Sequence, residues 1–231
     1  MNLLANAKQV RVADLPSKSR LAELDKVFLE ADGRMRVLPA AEVRRAFRND
    51  LERFDWCAKR AIYALVTTEL VDWVRDWIGP DRLSATIEVG TGRTPLGSAL
   101  GVVQTDNYMQ TDADIRAYYM ALGQAAVEPL PGVLKMDAWA AVQEYRPRAV
   151  VATWVTRFGA GQTGIPGVYV GVDYGRVAKA VETFVMVGNE QLHGPMIAQN
   201  GAPPPKVYRF PWLLSRSLEH NHRNAIFVWG D

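Results

Sequence analysis

Beyond Pro80 the chain settles into one repeated texture, in which apolar runs of four to seven residues are separated by helical periodicity or turns. The runs cover residues 85–89, 102–106, 132–137, 149–155, 183–188, 207–210 and 225–229, and helical spacing fills 112–124, 138–145 and 174–182. Strands that alternate with helices form βαβ units, since a parallel neighbour is reached only by a crossover. Unbroken apolar runs such as Ala149-Val150-Val151-Ala152 suit strands covered on both faces. The expectation is an α/β fold over 81–231, a mainly parallel seven-stranded sheet with helices on both faces. With 231 residues, 48% of them hydrophobic, the chain can bury such a core.

Residues 1–80 read as a separate helical segment that precedes the sheet. Leu21, Leu24, Val27 and Phe28 recur at helical spacing, and Gly33 offers a stop. After Pro39, Val43, Phe47, Leu51, Phe54, Ala58, Ile62 and Leu65 mark one continuous apolar stripe. Leu70, Val71, Val74, Trp77 and Ile78 extend it until Gly79-Pro80 closes the helix.

A net charge of +2 carries no strong nucleic-acid signal. The arginines and lysines crowded between Arg44 and Arg60 read as a solvated helix face. The one cysteine, Cys57, excludes a disulfide framework within the chain and falls in a helical pattern as a packing residue. The first residues lack a basic start and a long apolar run, and no stretch is long and apolar enough to span a membrane. These features predict a cytoplasmic protein with a small-molecule substrate and no membrane partner. Gly201-Ala202-Pro203-Pro204-Pro205 cannot lie in a central strand.

Ile87-Glu88-Val89-Gly90-Thr91-Gly92-Arg93-Thr94-Pro95 joins the first of these strands to a helix. Its glycines let backbone approach a ligand, and Pro95 is placed to open a helix whose positive end faces that ligand. In a doubly wound sheet, ligands bind outside the carboxyl ends of the strands. A dinucleotide fingerprint needs glycine where Pro95 stands, and Glu88 would repel a pyrophosphate. A carboxylate before the glycines suits a cationic ligand without phosphate.

The segment resembles the class I S-adenosylmethionine (SAM)-dependent methyltransferases, whose first motif reads acid-x-Gly-x-Gly, with Thr94 where a third glycine is common. The resemblance implies a Rossmann-like methyltransferase fold over 81–231 and SAM as cofactor, held at Glu88, Gly90, Thr91 and Gly92. It implies that Asp106, with Asn107 as a weaker candidate, holds the ribose hydroxyls. It implies that Asp137 meets the adenine amino group with Ala138 beside it, that Trp139 stacks on the ring, and that Thr153 and Trp154 line the methionine side. The last two strands match the family's closing antiparallel hairpin. The activity implied is methyl transfer to a small molecule, with the residues 1–80 as a cap over the pocket.

His193 and Glu190, after the fifth strand, are the candidate general bases. Asp106 and Asp137 also read as ordinary strand-end or cap acids, and Asp173 as the cap of the helix that follows it. Gly159-Ala160-Gly161-Gln162-Thr163-Gly164 reads as a loop over the pocket mouth. His220-Asn221-His222 lacks the wider ligand set of a metal site. Two rivals stand beside the methyltransferase. One is a non-catalytic SAM-binding or interaction protein with a degenerate version of the fold, suggested by the missing third glycine and the lack of an Asn-Pro-Pro motif after the fourth strand. The other is a nicotinamide oxidoreductase, which Pro95 and Glu88 weigh against.

Overall fold

The computed structural model describes residues 15–156, 159–160, 169–199, 201–218 and 221–230. Residues 161–164 of the second glycine-rich run and His220 therefore lie outside the described residues.

Ser17 caps the first helix by accepting from Arg20 N, and α1 runs Lys18–Phe28. It ends at Phe28, ahead of the Gly33 stop, and Val27 is 41% exposed, off the buried face of Leu21, Leu24 and Phe28. The predicted continuous stripe is two helices, α2 (Ala40–Ala46) and α3 (Asp50–Lys59). The break falls where the Asn49 side chain accepts from Glu52 N, so a cap residue overrides the periodicity. A two-residue strand follows, β1 (Ala64–Leu65). Thr67 then caps α4 (Thr68–Ile78), which Gly79 closes as predicted, and Pro80 opens α5 (Pro80–Leu83).

The sheet region follows as β2 (Thr86–Val89), α6 (Leu96–Leu100), β3 (Val103–Asp106), α7 (Ala113–Ala121), β4 (Leu134–Lys135), α8 (Ala138–Tyr145) and β5 (Ala149–Thr153). Then come β6 (Gly159–Ala160), β7 (Tyr169–Val170), α9 (Tyr174–Ala180), β8 (Thr183–Asn189), α10 (Glu190–Gln199), β9 (Lys206–Tyr208), β10 (Leu214–Ser215) and β11 (Asn224–Gly230). Asp173 caps α9 through Arg176 N.

Seven strands form one sheet in the order β4-β3-β2-β5-β8-β11-β9. The sheet is mixed, not wholly parallel: β3, β4, β2, β5 and β8 pair in parallel, while β11 runs antiparallel to both β8 and β9. The chain builds outward from β2 to β3 and β4, then crosses back to lay β5 on the other side of β2. That reversal is a topological switch point, and it opens a crevice at the carboxyl ends of β2 and β5.

Alternation along the strands divides the core in two. Val151, Val185, Val187, Ile226 and Val228 face the helical segment, packing with Leu24, Phe28, Trp56, Leu70, Val74 and Leu96. Ile87, Val89, Val150, Ala152, Phe184, Met186 and Phe227 face the other side, with Val142, Tyr174, Val177 and Ile197. Helices thus cover both faces, and residues 15–80 share a core with the sheet. Phe28 stacks on Phe47 at 4.8 Å and meets Trp56 at 5.0 Å, and the Trp56 indole N–H donates to Asp25 at 2.9 Å. Cys57 is buried in the same cluster, with its thiol pushed up to about 12 by burial. No helix among the described residues is long and apolar enough to cross a membrane.

Because both segments build one core, the full chain is expected to melt in a single cooperative transition. Removing residues 1–80 uncovers one sheet face and is expected to abolish cooperative folding of the remainder. Circular dichroism melts check both. Two separated transitions, or a cooperatively folded 81–231 fragment, would show the segments to be independent.

Candidate functional site

Glu88 stands at the third position of β2 with no exposed surface. A carboxylate so placed needs donors on every side, and the following residues supply them. Thr94 donates to Oε1 at 2.9 Å. Oε2 accepts from the Thr91 hydroxyl at 3.0 Å, Gly97 N at 3.1 Å and the Gln104 amide at 2.8 Å. Burial pushes Glu88 up to about 7, against the opposing pull of Gln104, Thr94, Thr91 and Gly97.

The loop from Gly90 to Thr94 is therefore folded around the acid that precedes it. The predicted helix after Pro95 is only five residues long, and the N–H of Gly97 in its first turn is spent on Glu88. Gly97 must be glycine, since a Cβ would sit 2.5 Å from Glu88 Oε2 and 2.8 Å from Gln104 Cγ. It provides the close helix-to-strand approach that Thr94 cannot. Gly90 has φ +61°, and a Cβ there would meet Val155 Cγ1 at 2.5 Å.

Above this loop lies a cleft enclosing about 920 Å³, part of it open to solvent. Gly90, Thr91, Gly92, Asp106, Asn107, Ala138, Thr153 and Trp154, eight of the sequence-predicted residues, line it together. Asp106 ends β3 and joins two loops, its carboxylate accepting from Gly92 N at 2.9 Å and Tyr108 N at 2.8 Å. Burial raises its pKa, and those two backbone donors oppose the rise. Each Asp106 oxygen keeps lone-pair capacity for a further donor. The Asn107 side chain accepts from Met109 N at 3.0 Å.

Glu88, Asp137, Trp139, Glu190 and His193 are not among the lining residues. Glu88 lies beneath the loop, so any influence on a ligand passes through the backbone it orders. Asp137 is exposed and caps α8, accepting from Trp139 N and Ala140 N. Trp139 carries the Arg176 guanidinium 3.7 Å from its ring centroid. Glu190 pairs with Arg209. His193 is buried, its Nδ1 lying 2.9 Å from Asn189 N and 3.1 Å from Asn189 O, and its ring meets Trp154 edge-on at 5.3 Å. Burial drives its pKa down to about 4, with the Asn189 backbone opposing. It thus stands as a neutral ring behind Trp154, tied to the start of α10.

Three contributions to the cleft were not singled out in the sequence. Ala61, Ile62 and Tyr63, between α3 and β1, supply part of the wall, as do Tyr119 of α7 and Val127 and Pro129 beyond it. Arg93 lines the cleft and donates from Nη2 to Gly33 O at 2.7 Å, tying the glycine loop to the N-terminal segment. Backbone strain also gathers here: among the described residues four non-glycine residues have positive φ, and three of them, Ala61 (53°), Tyr108 (62°) and Trp154 (56°), line this cleft. Such conformations persist only where the surroundings over-determine them, and they cluster at functional sites. Only the glycine positions and Pro95 hinted at this from sequence.

No cluster of three or more histidine, cysteine, aspartate or glutamate side chains suited to a metal occurs among the described residues. Comparison with protein-family models and with curated proteins found no match.

Two outcomes follow from the Glu88 cage. An acid whose folded pKa is raised contributes stability that is complete below its unfolded pKa and is lost as pH rises through the folded value. Wild type should therefore lose up to about 3 kcal/mol relative to Glu88→Gln as pH rises from about 5 to 8. Denaturant unfolding of both proteins across that range checks it, and parallel stability curves would refute it. Gly97→Ala forces the helix off Glu88 and should cost about 1–3 kcal/mol, read as a shift of the denaturant midpoint.

Proposed function

We propose that the chain is a SAM-dependent methyltransferase acting on a small molecule in the cleft at the carboxyl ends of β2 and β5. The observation that carries the reading is the convergence there of the glycine loop, Asp106, Asn107, Ala138, Thr153 and Trp154, in the order the resemblance implies. The antiparallel closing strand β11 also accords with the hairpin implied by the resemblance, and hence with a Rossmann-like methyltransferase fold.

The residues present fit the cofactor. Gly90 lets Val155 pack directly on the loop beneath the cleft, and Asp106 retains acceptor capacity for a diol. The Thr153 hydroxyl is buried with no hydrogen-bond partner, an oxygen at the cleft still to be satisfied. In this reading Asp106 and Asn107 hold the ribose, Ala138 flanks the base, and Thr153 with the backbone at Gly90 meets the amino-acid portion. Bound SAM supplies an electrophilic methyl group on a sulfonium. The protein aligns the acceptor with it and keeps water out. Glu88 fixes the loop from beneath.

The placement of His193 and Glu190 outside the cleft favours one alternative, a non-catalytic SAM-binding or interaction protein with the same fold. A methyl-transfer screen showing turnover on any acceptor would remove it.

Calorimetry should show one SAM per chain. Asp106→Asn, which keeps one acceptor oxygen but loses the charge, should weaken binding about tenfold or more without a matching loss of thermal stability. Wild-type protein that binds no SAM at high concentration would overturn the reading.

A further inference from the structure

Tyr63 and Tyr119 come from two separate elements and line the same cleft. The Tyr63 hydroxyl is buried, and the phenol it faces in the cleft is Tyr119, with which it interacts. Two phenols that face each other can use only one of their two protons between them, and the other is satisfied when a ligand brings an acceptor to it. Burial, followed by the neighbouring Tyr63, raises the pKa of the Tyr119 phenol and keeps it protonated as a donor.

The surroundings favour a negative acceptor. The Arg216 guanidinium stacks 3.8 Å from the centre of the Tyr63 ring. It is fixed there by Arg216 N donating to Tyr63 O at 3.1 Å and by Nη1 donating to Gln124 Oε1 at 3.1 Å. A cation over the ring draws on its electron density and makes the hydroxyl a stronger donor. Arg93 also lines the cleft, whereas Asp106, the one lining carboxylate among the described residues, is already met by two backbone N–H groups. Ile62, Val127 and Pro129 give the remaining wall an apolar character suited to a flat hydrocarbon body. Strain at Ala61, φ 53°, sits two residues before Tyr63.

We propose that the cleft takes a planar aromatic molecule bearing an anionic oxygen, phenolate or carboxylate, and that Tyr63 and Tyr119 donate hydrogen bonds to that oxygen. This names the acceptor class of the proposed methyltransferase and rests on that reading. An oxygen that arrives ionised is already a nucleophile, which accords with His193 and Glu190 lying elsewhere.

The test uses the full chain at one pH near neutrality, with benzoate, benzamide and p-nitrophenol as probes. Benzoate should bind at least about tenfold tighter than its neutral analogue benzamide, or p-nitrophenol should turn more yellow as the protein holds its phenolate form. Tyr63→Phe and Tyr119→Phe, which keep the rings, should each weaken the successful probe about tenfold while melting like wild type. Success with benzoate alone assigns a carboxylate, and success with p-nitrophenol alone assigns a phenolate. Equal binding of benzoate and benzamide with no colour change, no binding of any probe, or indifference to both substitutions would overturn the proposal. If either variant fails to fold, the benzoate-to-benzamide ratio and the colour change in wild type decide the matter alone. SAM calorimetry on the same samples separates the two claims: SAM binding without probe binding sinks only the phenol pair, and probe binding without SAM binding sinks only the methyltransferase reading.

Discussion

A carboxylate sealed from water costs several kcal/mol unless donors surround it, and Glu88 makes its own neighbourhood the solution. Two threonine hydroxyls, one backbone N–H and one side-chain amide converge on it from the loop, from α6 and from β3. The turn after β2 cannot relax without uncovering an unpaired acid. That cage holds Gly90 and Gly92 in their positive-φ conformations, and through Gly92 N it positions Asp106. The chain of dependence runs from one buried acid, through the backbone bend, to the carboxylate at the rim.

Topology decides where that bend opens. Because β3 and β5 flank β2 on opposite sides, the crossover helices that lead into them, α6 and α8, lie on opposite faces of the sheet. Leu96 and Leu100 of α6 join the core beneath the N-terminal helices, whereas Ala141 and Val142 of α8 join the other core. The gap left between them is lined mostly by loops, with Ala138 of α8 and Tyr119 of α7 contributing to its walls. Loops can bring polar groups together there without burying an unsatisfied ladder, which is why the strained backbone of Tyr108 and Trp154 and the buried oxygen of Thr153 collect at this one place.

The sheet was legible because its strands are buried on both faces, and such strands announce themselves as apolar runs. β5, β8 and β11 lie within a residue or two of where residues 149–155, 183–188 and 225–229 read as strands. β4 shrank to two exposed residues, since an edge strand has no second neighbour to fix it. The helical stripe after Pro39 misled because periodicity is blind to a single cap: Asn49 interrupts it, and α3 buries Glu52, Arg53, Trp56, Cys57 and Ala58 while the predicted Leu51 and Phe54 stay half-buried. β1 and β10 pair over only two residues, too short for any local signal. In the site, residue types told which loop mattered but not which way each acid points. Glu88 reads as a group reaching for a ligand, yet it turns inward, because burial under α6 is decided by Gly97, nine positions further on. Asp137 had an ordinary structural alternative in the sequence, as a helix cap, and the structure gives it those surroundings.

The N-terminal segment, expected as a cap, reaches the cleft through the turn after α3. Its helices cover one sheet face, but their chemical consequence lies at the exit of α3. There Ile62 N donates to Cys57 O, Ala125 N donates to Ala58 O, and Arg216 N donates to Tyr63 O. These three bonds link the helix end to the stretch beyond α7 and to the strand that pairs with β1. A residue so tied cannot choose its backbone freely, and Ala61 is held with φ at 53°. The strain is stored in the one turn that carries Tyr63 to the cleft. A scaffold that needed these helices only as a cover could have relaxed that turn with a glycine. Keeping alanine there leaves Tyr63 with fewer places to go, and orientation of this kind is what a binding wall requires.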